Sequence, residues 1–202
     1  VRITAVEVAA DTILWPKLAP VMHEYPDINI EIISEYGLKD IVAERYDAGV
    51  RLGEQVDMDM VSLPLARDFR FAVVAAPSYF KRKNHPVTPR DLKDHSCIRL
   101  RLPTHGGFYT WEFRKDETEI KVRIDGRATF STINMMRQAA LDGLGLAYLP
   151  LDSVENYLEN GMLVQVLTDW CPPRPPYHLY YPSRLQHSPA FALVLEALRA
   201  HN

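Results

Sequence analysis

Residues 46–53 read YDAGVRLG: an apolar run from Ala48 to Leu52 interrupted by one arginine, Arg51, and closed by Gly53. A run this short, bounded by a turn glycine, forms a buried strand. A cation inside such a strand is costly if it is enclosed without a partner. It therefore faces solvent at the strand end, meets an anion, or is paired by an acid. Asp47 and Glu54 flank the stretch. The expected arrangement is an ion pair that holds the strand end, with contact to a bound anion as the alternative.

Toward the N-terminus the chain alternates strand and helix. Val1 to Val8 has the period of a strand, and Asp11-Thr12 follows as a polar turn. Leu14, Leu18, Val21, Met22 and Tyr25 then recur at helical spacing, with Asp11 or Thr12 as the cap and Pro16 in the first turn. Tyr25-Pro26-Asp27 ends that helix, and Ile28 to Ile33 is a second strand left through Ser34-Glu35. Leu38, Ile41 and Val42 mark another helix before the strand of Arg51. Alternation of this kind predicts a mainly parallel sheet covered on both faces.

Toward the C-terminus, Met60 to Leu65 and Arg70 to Ala76 are extended. Residues 81–95, rich in lysine, proline and histidine, read as a helix-poor surface excursion. Cys97 to Leu102 alternates as a half-buried strand, Gly106-Gly107 turns, and Thr110 to Phe113 and Lys121 to Phe130 are extended. Met135, Met136, Ala139 and Ala140 stack on a helix ended by Gly143. A strand from Leu144 to Leu149, a short helix from Val154 to Leu158 and a strand from Leu163 to Leu167 come next. After the stiff PPRPP of residues 172–176 there is a strand from Tyr177 to Tyr181. Ser188-Pro189 then starts a helix that buries Phe191, Val194, Leu195 and Leu198. The middle of the chain reads as a second α/β lobe inserted into the first, joined by extended segments near 69–76 and 177–182.

Composition narrows the function. The 202 residues carry a formal charge of −3 and no dense basic run, which argues against a grip on nucleic acid by these residues. Two cysteines far apart suit isolated thiols in a reducing compartment. No leader and no apolar stretch near the ~20 residues of a membrane span is present, so a soluble, cytoplasmic domain excised from a longer protein is expected. The seven histidines are scattered, and HExxH, GxSxG and CxxC are absent. Gly143-Leu144-Gly145 follows a helix and precedes a strand, the wrong order for a dinucleotide loop. The three tryptophans, Trp15, Trp111 and Trp170, suit core or rim positions. No enzyme, metal or cofactor signature emerges. Thr12 and Ser131-Thr132 stand at strand–turn–helix junctions, where free amides either are capped or bind a small anion. Ser34 and Glu35 end the second strand, and Arg99 and Arg101 fall on the polar face of theirs.

Taken in order, YDAGVRLGE, VSLPL, FAVVAAPSYF and PVTPRDLKDHSCI, then WEF, AALDGLGLAYLP, LENGMLVQVL and LYYPSRLQHSPAF, resemble the effector-binding domain of LysR-type transcriptional regulators, nearest the CrgA-like branch. The match runs from Tyr25-Pro26 to Phe191. It implies an α/β fold similar to type-2 periplasmic binding proteins: two Rossmann-like lobes joined by two crossover strands, with an effector cleft between them. Residues 1–70 and 178–202 would form lobe I, and residues 71–177 the inserted lobe II. The effector-binding positions implied are Asp11 and Thr12, Ser34 and Glu35, then Leu100, Arg101 and Leu102, then Ser131 and Thr132. Two positions depart from the pattern. Asp11 adds an acid that opposes an anionic effector, and Ser131 stands where this branch often has asparagine. The resemblance further implies a small-molecule effector such as a small carboxylate or aromatic acid, side-by-side antiparallel homodimers, and a homotetramer at full length. In the family a winged helix-turn-helix and a linker helix precede this domain, so DNA would be contacted only through that part. A solute-binding protein of a transport system is the alternative with the same architecture.

Overall fold

The computed structural model describes residues 1–37, 40–53, 59–66, 68–102, 107–183 and 188–199. Its first strand, β1 (Arg2–Ala5), is shorter than the alternation of Val1 to Val8 predicts, because the chain turns helical at Glu7. From there helix runs without a break through α1 (Glu7–Ala9), a π turn (Ala10–Leu14) and α2 (Trp15–Glu24). The expected polar turn at Asp11-Thr12 is therefore inside the helix. The π turn carries the Trp15 amide to the Ala10 carbonyl, directly ahead of Pro16, which has no amide to donate. β2 (Glu31–Ser34) follows. The helix expected around Ile41 and Val42 is a single turn instead: Asp40 accepts the Val42 and Ala43 amides, and Arg45 at φ 58° ends it. Leu38 lies outside the described residues. β3 (Ala48–Leu52) matches the strand expected from YDAGVRLG, and β4 (Met60–Pro64) comes next.

The chain passes into a second compact unit, residues 70–174, and returns to the first, which comprises residues 1–69 and 175–202. In the second unit the order is β5 (Phe71–Ala75), α3 (Pro77–Phe80), a 3-10 turn (Pro89–Asp94), β6 (Arg99–Leu100), β7 (Trp111–Lys115) and β8 (Thr118–Val122). Then come β9 (Thr129–Phe130), α4 (Ile133–Leu141), β10 (Ala147–Pro150), α5 (Glu155–Glu159) and β11 (Val164–Val166). The expected single strand from Lys121 to Phe130 is two, since β8 pairs antiparallel with β7 while β9 pairs parallel with β6. Gly126 lies where they part, with its Cα against the Cys97 carbonyl. Of the expected Gly106-Gly107 turn, Gly106 is outside the described residues. The first unit closes with β12 (Tyr177–Pro182) and α6 (Pro189–Arg199).

The first unit's sheet has the order β2-β1-β3-β12-β4. β1 is parallel to β2 and β3, whereas β12 runs antiparallel to β3 and β4. Four of its five strands thus run the same way, as a mainly parallel sheet requires, and only β12, arriving from much later in the sequence, is reversed. α2 and α6 pack on each other, with Leu18 of α2 and Phe191, Val194 and Leu198 of α6 buried. The second unit has an antiparallel sheet β10-β5-β11 and an aromatic core. There Tyr148 stacks on Phe71 with centroids 4.3 Å apart, beside Trp111 and Phe113. Arg174 is fixed to Glu112 by an ion pair of 3.2 Å and a bond to the Glu112 carbonyl.

Candidate functional site

In the first unit the relevant groups gather where β1, β2 and β3 end, the edge at which ligands of open α/β sheets bind. The helix after β1 has Val6 at its N-cap, so its first turn is formed by Glu7, Val8 and Ala9. Thr12 is not their cap. It lies inside the π turn, half-buried, and its hydroxyl donates to the Val8 carbonyl at 2.8 Å. Asp11 is exposed on the same turn. Ser34 is the exposed last residue of β2, and the half-buried Glu35 sends its amide to the Ala5 carbonyl at 2.8 Å. Tyr36 donates its hydroxyl to Glu7 Oε2 at 3.0 Å, which ties the loop after β2 to the first turn of the helix. Sequence reasoning missed Glu7 and Tyr36. The available signal was an acid in a first helical turn, hidden by placing the helix start five residues too late.

Arg51 lies at this edge and is completely buried. Its Nη1 donates to the Val50 carbonyl at 2.8 Å, and its Nη2 donates to Thr4 Oγ1 at 3.1 Å and the Gly37 carbonyl at 2.9 Å. The ion pair expected with Asp47 is not found. Asp47 instead accepts from the Arg2 amide at 2.7 Å, and Glu54 lies outside the described residues. Among the described residues Arg51 Nε has no hydrogen-bond partner. Burial pulls the guanidinium pKa below its ordinary value, against the opposing charges of Tyr180, Glu35 and Tyr46.

In the second unit the candidates gather at the ends of the parallel pair β6 and β9. Leu100 is buried, Leu102 half-buried and Arg101 exposed, with its amide on the Phe130 carbonyl at 2.7 Å. Thr132 is the cap of α4, accepting the Met135 amide at 3.3 Å, and Ser131 beside it is exposed. The first turn of α4 holds no acid, and its positive dipole end favours a negative charge. Phe108, itself exposed, lies under both arginines: the Arg99 and Arg101 guanidinium carbons are 4.5 and 4.8 Å from its centroid. Arg99 is held there by Thr129 at 3.1 Å and faces Asp125 at 3.9 Å. The sequence placed both arginines on a polar face, but not the aromatic ring that brings them together.

The chain is similar to known proteins over its whole length. A family profile described as LysR substrate binding domain matches residues 1–202. A relative in Pseudomonas aeruginosa, described provisionally as a transcriptional regulator, is 49% identical over 199 residues, covering 98% of this chain and 65% of the relative. The HTH-type transcriptional regulator PgrR of Escherichia coli is 42% identical over 199 residues, covering 98% of this chain and 67% of PgrR. The chain thus spans about two thirds of the length of these relatives. Among solved structures, the regulatory domain of CrgA, a LysR-type transcriptional regulator from Neisseria meningitidis, superposes with a TM-score of 0.82 at 23% identity. That match covers 98% of this chain and 96% of the CrgA domain, and at this identity it speaks for the fold.

Proposed function

This chain belongs to the LysR substrate-binding domain family, and from that membership we propose that it is the ligand-sensing part of a DNA-binding transcriptional regulator. Its fold is the periplasmic-binding-protein-like α/β arrangement of such regulatory domains. The carrying observation is the family match over residues 1–202, with relatives described as transcriptional regulators rather than transport components. In this reading the candidate effector-contacting residues are Ser34 and Glu35 in the first unit, and Arg101, Ser131 and Thr132 in the second. An effector that binds one conformation of the domain better than another shifts the population toward it, and the change reaches DNA through a segment outside these residues. The effector class proposed is a small carboxylate or aromatic acid. Two guanidinium groups over an exposed phenyl ring, and a helix start with no acid in its first turn, support that class. A cytoplasmic location, a sensing rather than catalytic role, and antiparallel homodimers that pair into tetramers at full length complete the proposal. Among the described residues no helix is long and apolar enough to cross a membrane.

Thermal shift against a panel of small carboxylates and aromatic acids tests the reading, since a bound ligand raises apparent stability by mass action. At least one such acid is expected to raise the melting temperature. The shift should shrink in Arg101→Gln, Ser131→Ala and Ser34→Ala, variants of exposed residues that fold normally. A shift of equal size in all three variants would remove the proposed site.

A further inference from the structure

We propose that Arg51 is a positioning residue of the effector site, one that fixes the loop Ser34–Gly37 against the end of β1 without touching the ligand. The inference rests on the reading that Ser34 and Glu35 contribute to effector binding.

Three consecutive residues of that loop are tied to three different segments. Glu35 is held by its amide on the Ala5 carbonyl of β1, at 2.8 Å. Tyr36 is held by its hydroxyl on Glu7, in the first helical turn, at 3.0 Å. Gly37 has no side chain to anchor, and its carbonyl is taken by Arg51 Nη2 at 2.9 Å. The same nitrogen donates to Thr4 Oγ1 at 3.1 Å, and the other terminal nitrogen donates to Val50 at 2.8 Å. One guanidinium thus bridges β1, β3 and the loop after β2. A planar fork with several divergent donors makes such a bridge, and the compact ammonium of lysine cannot span it.

The burial of Arg51 carries the argument further. The side chain is 0% exposed, and among the described residues its hydrogen-bond partners are two carbonyls and a hydroxyl, all neutral. A residue that served only to fill the core would be apolar, since enclosing a cation is costly. What arginine adds over a filler is its reach to Gly37 and Thr4. Its position inside the sheet leaves no surface for a ligand to touch, so its influence on the site passes through the loop.

Amide hydrogen exchange, resolved by residue, tests this without any ligand, and so stands or falls separately from the Ser34→Ala comparison above. In Arg51→Lys the Glu35 amide should exchange roughly tenfold faster, the effect of losing one hydrogen bond to a charged donor. Ladder amides of β12 and of β5 should keep wild-type rates. An unchanged Glu35 amide overturns the proposal. So does a uniform acceleration across the sheet, which would mark Arg51 as a core element only. Thr4→Val, isosteric and lacking the hydroxyl, decides the matter if Arg51→Lys does not fold. It should speed Glu35 exchange several-fold while Thr4→Ser leaves it unaltered, and equal rates in both variants would overturn the proposal.

Discussion

Cys97 and Cys171 are buried free thiols, and burial pushes each pKa up to about 12. A thiol that stays protonated at neutral pH is a poor nucleophile and a poor target for oxidants. Neither should react with iodoacetamide or a dithiobenzoate reagent in the native protein at pH 7.5 over about an hour, and both should react once the chain is denatured. Rapid native labelling of either would contradict the enclosed placement. His178 offers a pH test. Its Nδ1 is 2.7 Å from Ser62 Oγ, and burial lowers its pKa from the ordinary 6.5. The folded value is then below the unfolded one, so the unfolded chain takes up the proton more readily. The stability tied to neutral His178 is complete above the unfolded pKa and is lost as pH falls through the folded value. Melting temperature should therefore decline between about pH 7 and pH 5, less steeply in His178→Gln than in wild type. Equal slopes would count against it. Burial shifts His95 the same way, so the variant should reduce the decline without abolishing it. Arg51 marks how far a single residue could be read from sequence. Its oddity was visible in an apolar strand, but its partners were not. They are a hydroxyl 47 positions away and backbone carbonyls, which local spacing does not reveal.

Elements were legible where one pattern had one cause. β3 and α6 satisfy period, cap and breaker together, and both lie where the pattern put them. The start of the first helix did not, because Val6 and Val8 continue a strand alternation that the backbone abandons at Glu7. A π turn also let Pro16 sit in mid-helix, where a proline normally reads as a start. That error of five residues is why Thr12 was expected at a helix mouth it does not occupy. Thr132 caps α4, one of the two roles its strand–turn–helix context left open, and Thr132→Ala should cost about 1 kcal/mol in urea unfolding. The break between β8 and β9 is harder to see. A Cβ on Gly126 would come within 1.9 Å of the Cys97 carbonyl oxygen, a clash with another segment that no local pattern announces. Gly126→Ala should destabilise by about 1–3 kcal/mol. Gly107→Ala, with nothing within 4 Å of the added methyl, should stay within about 0.5 kcal/mol. Equal costs for the two glycines would refute the packing argument.

At the scale of the molecule, the two units differ in charge. The first carries eight Lys and Arg against fourteen Asp and Glu, and the second fifteen against twelve, giving −6 and +3. In the antiparallel dimer proposed above each acidic unit would face a basic one. Self-association measured by sedimentation should then weaken as salt rises from about 0.05 to 0.5 M, where charges are screened. A dissociation constant indifferent to salt would count against that pairing. The sheet order β2-β1-β3-β12-β4 has a further consequence, for the timing of biosynthesis. The strand between β3 and β4 is made from residues 177–182, after the whole of the second unit has been translated. Residues 70–174 are contiguous and should fold as an isolated fragment, whereas residues 1–69 alone should not, as circular dichroism of the two would show. On the ribosome the nascent β3 and β4 must wait roughly 5–20 s for their shared neighbour. For that interval the paired edges of both strands stand open to chaperones, and the first unit is the last to become native.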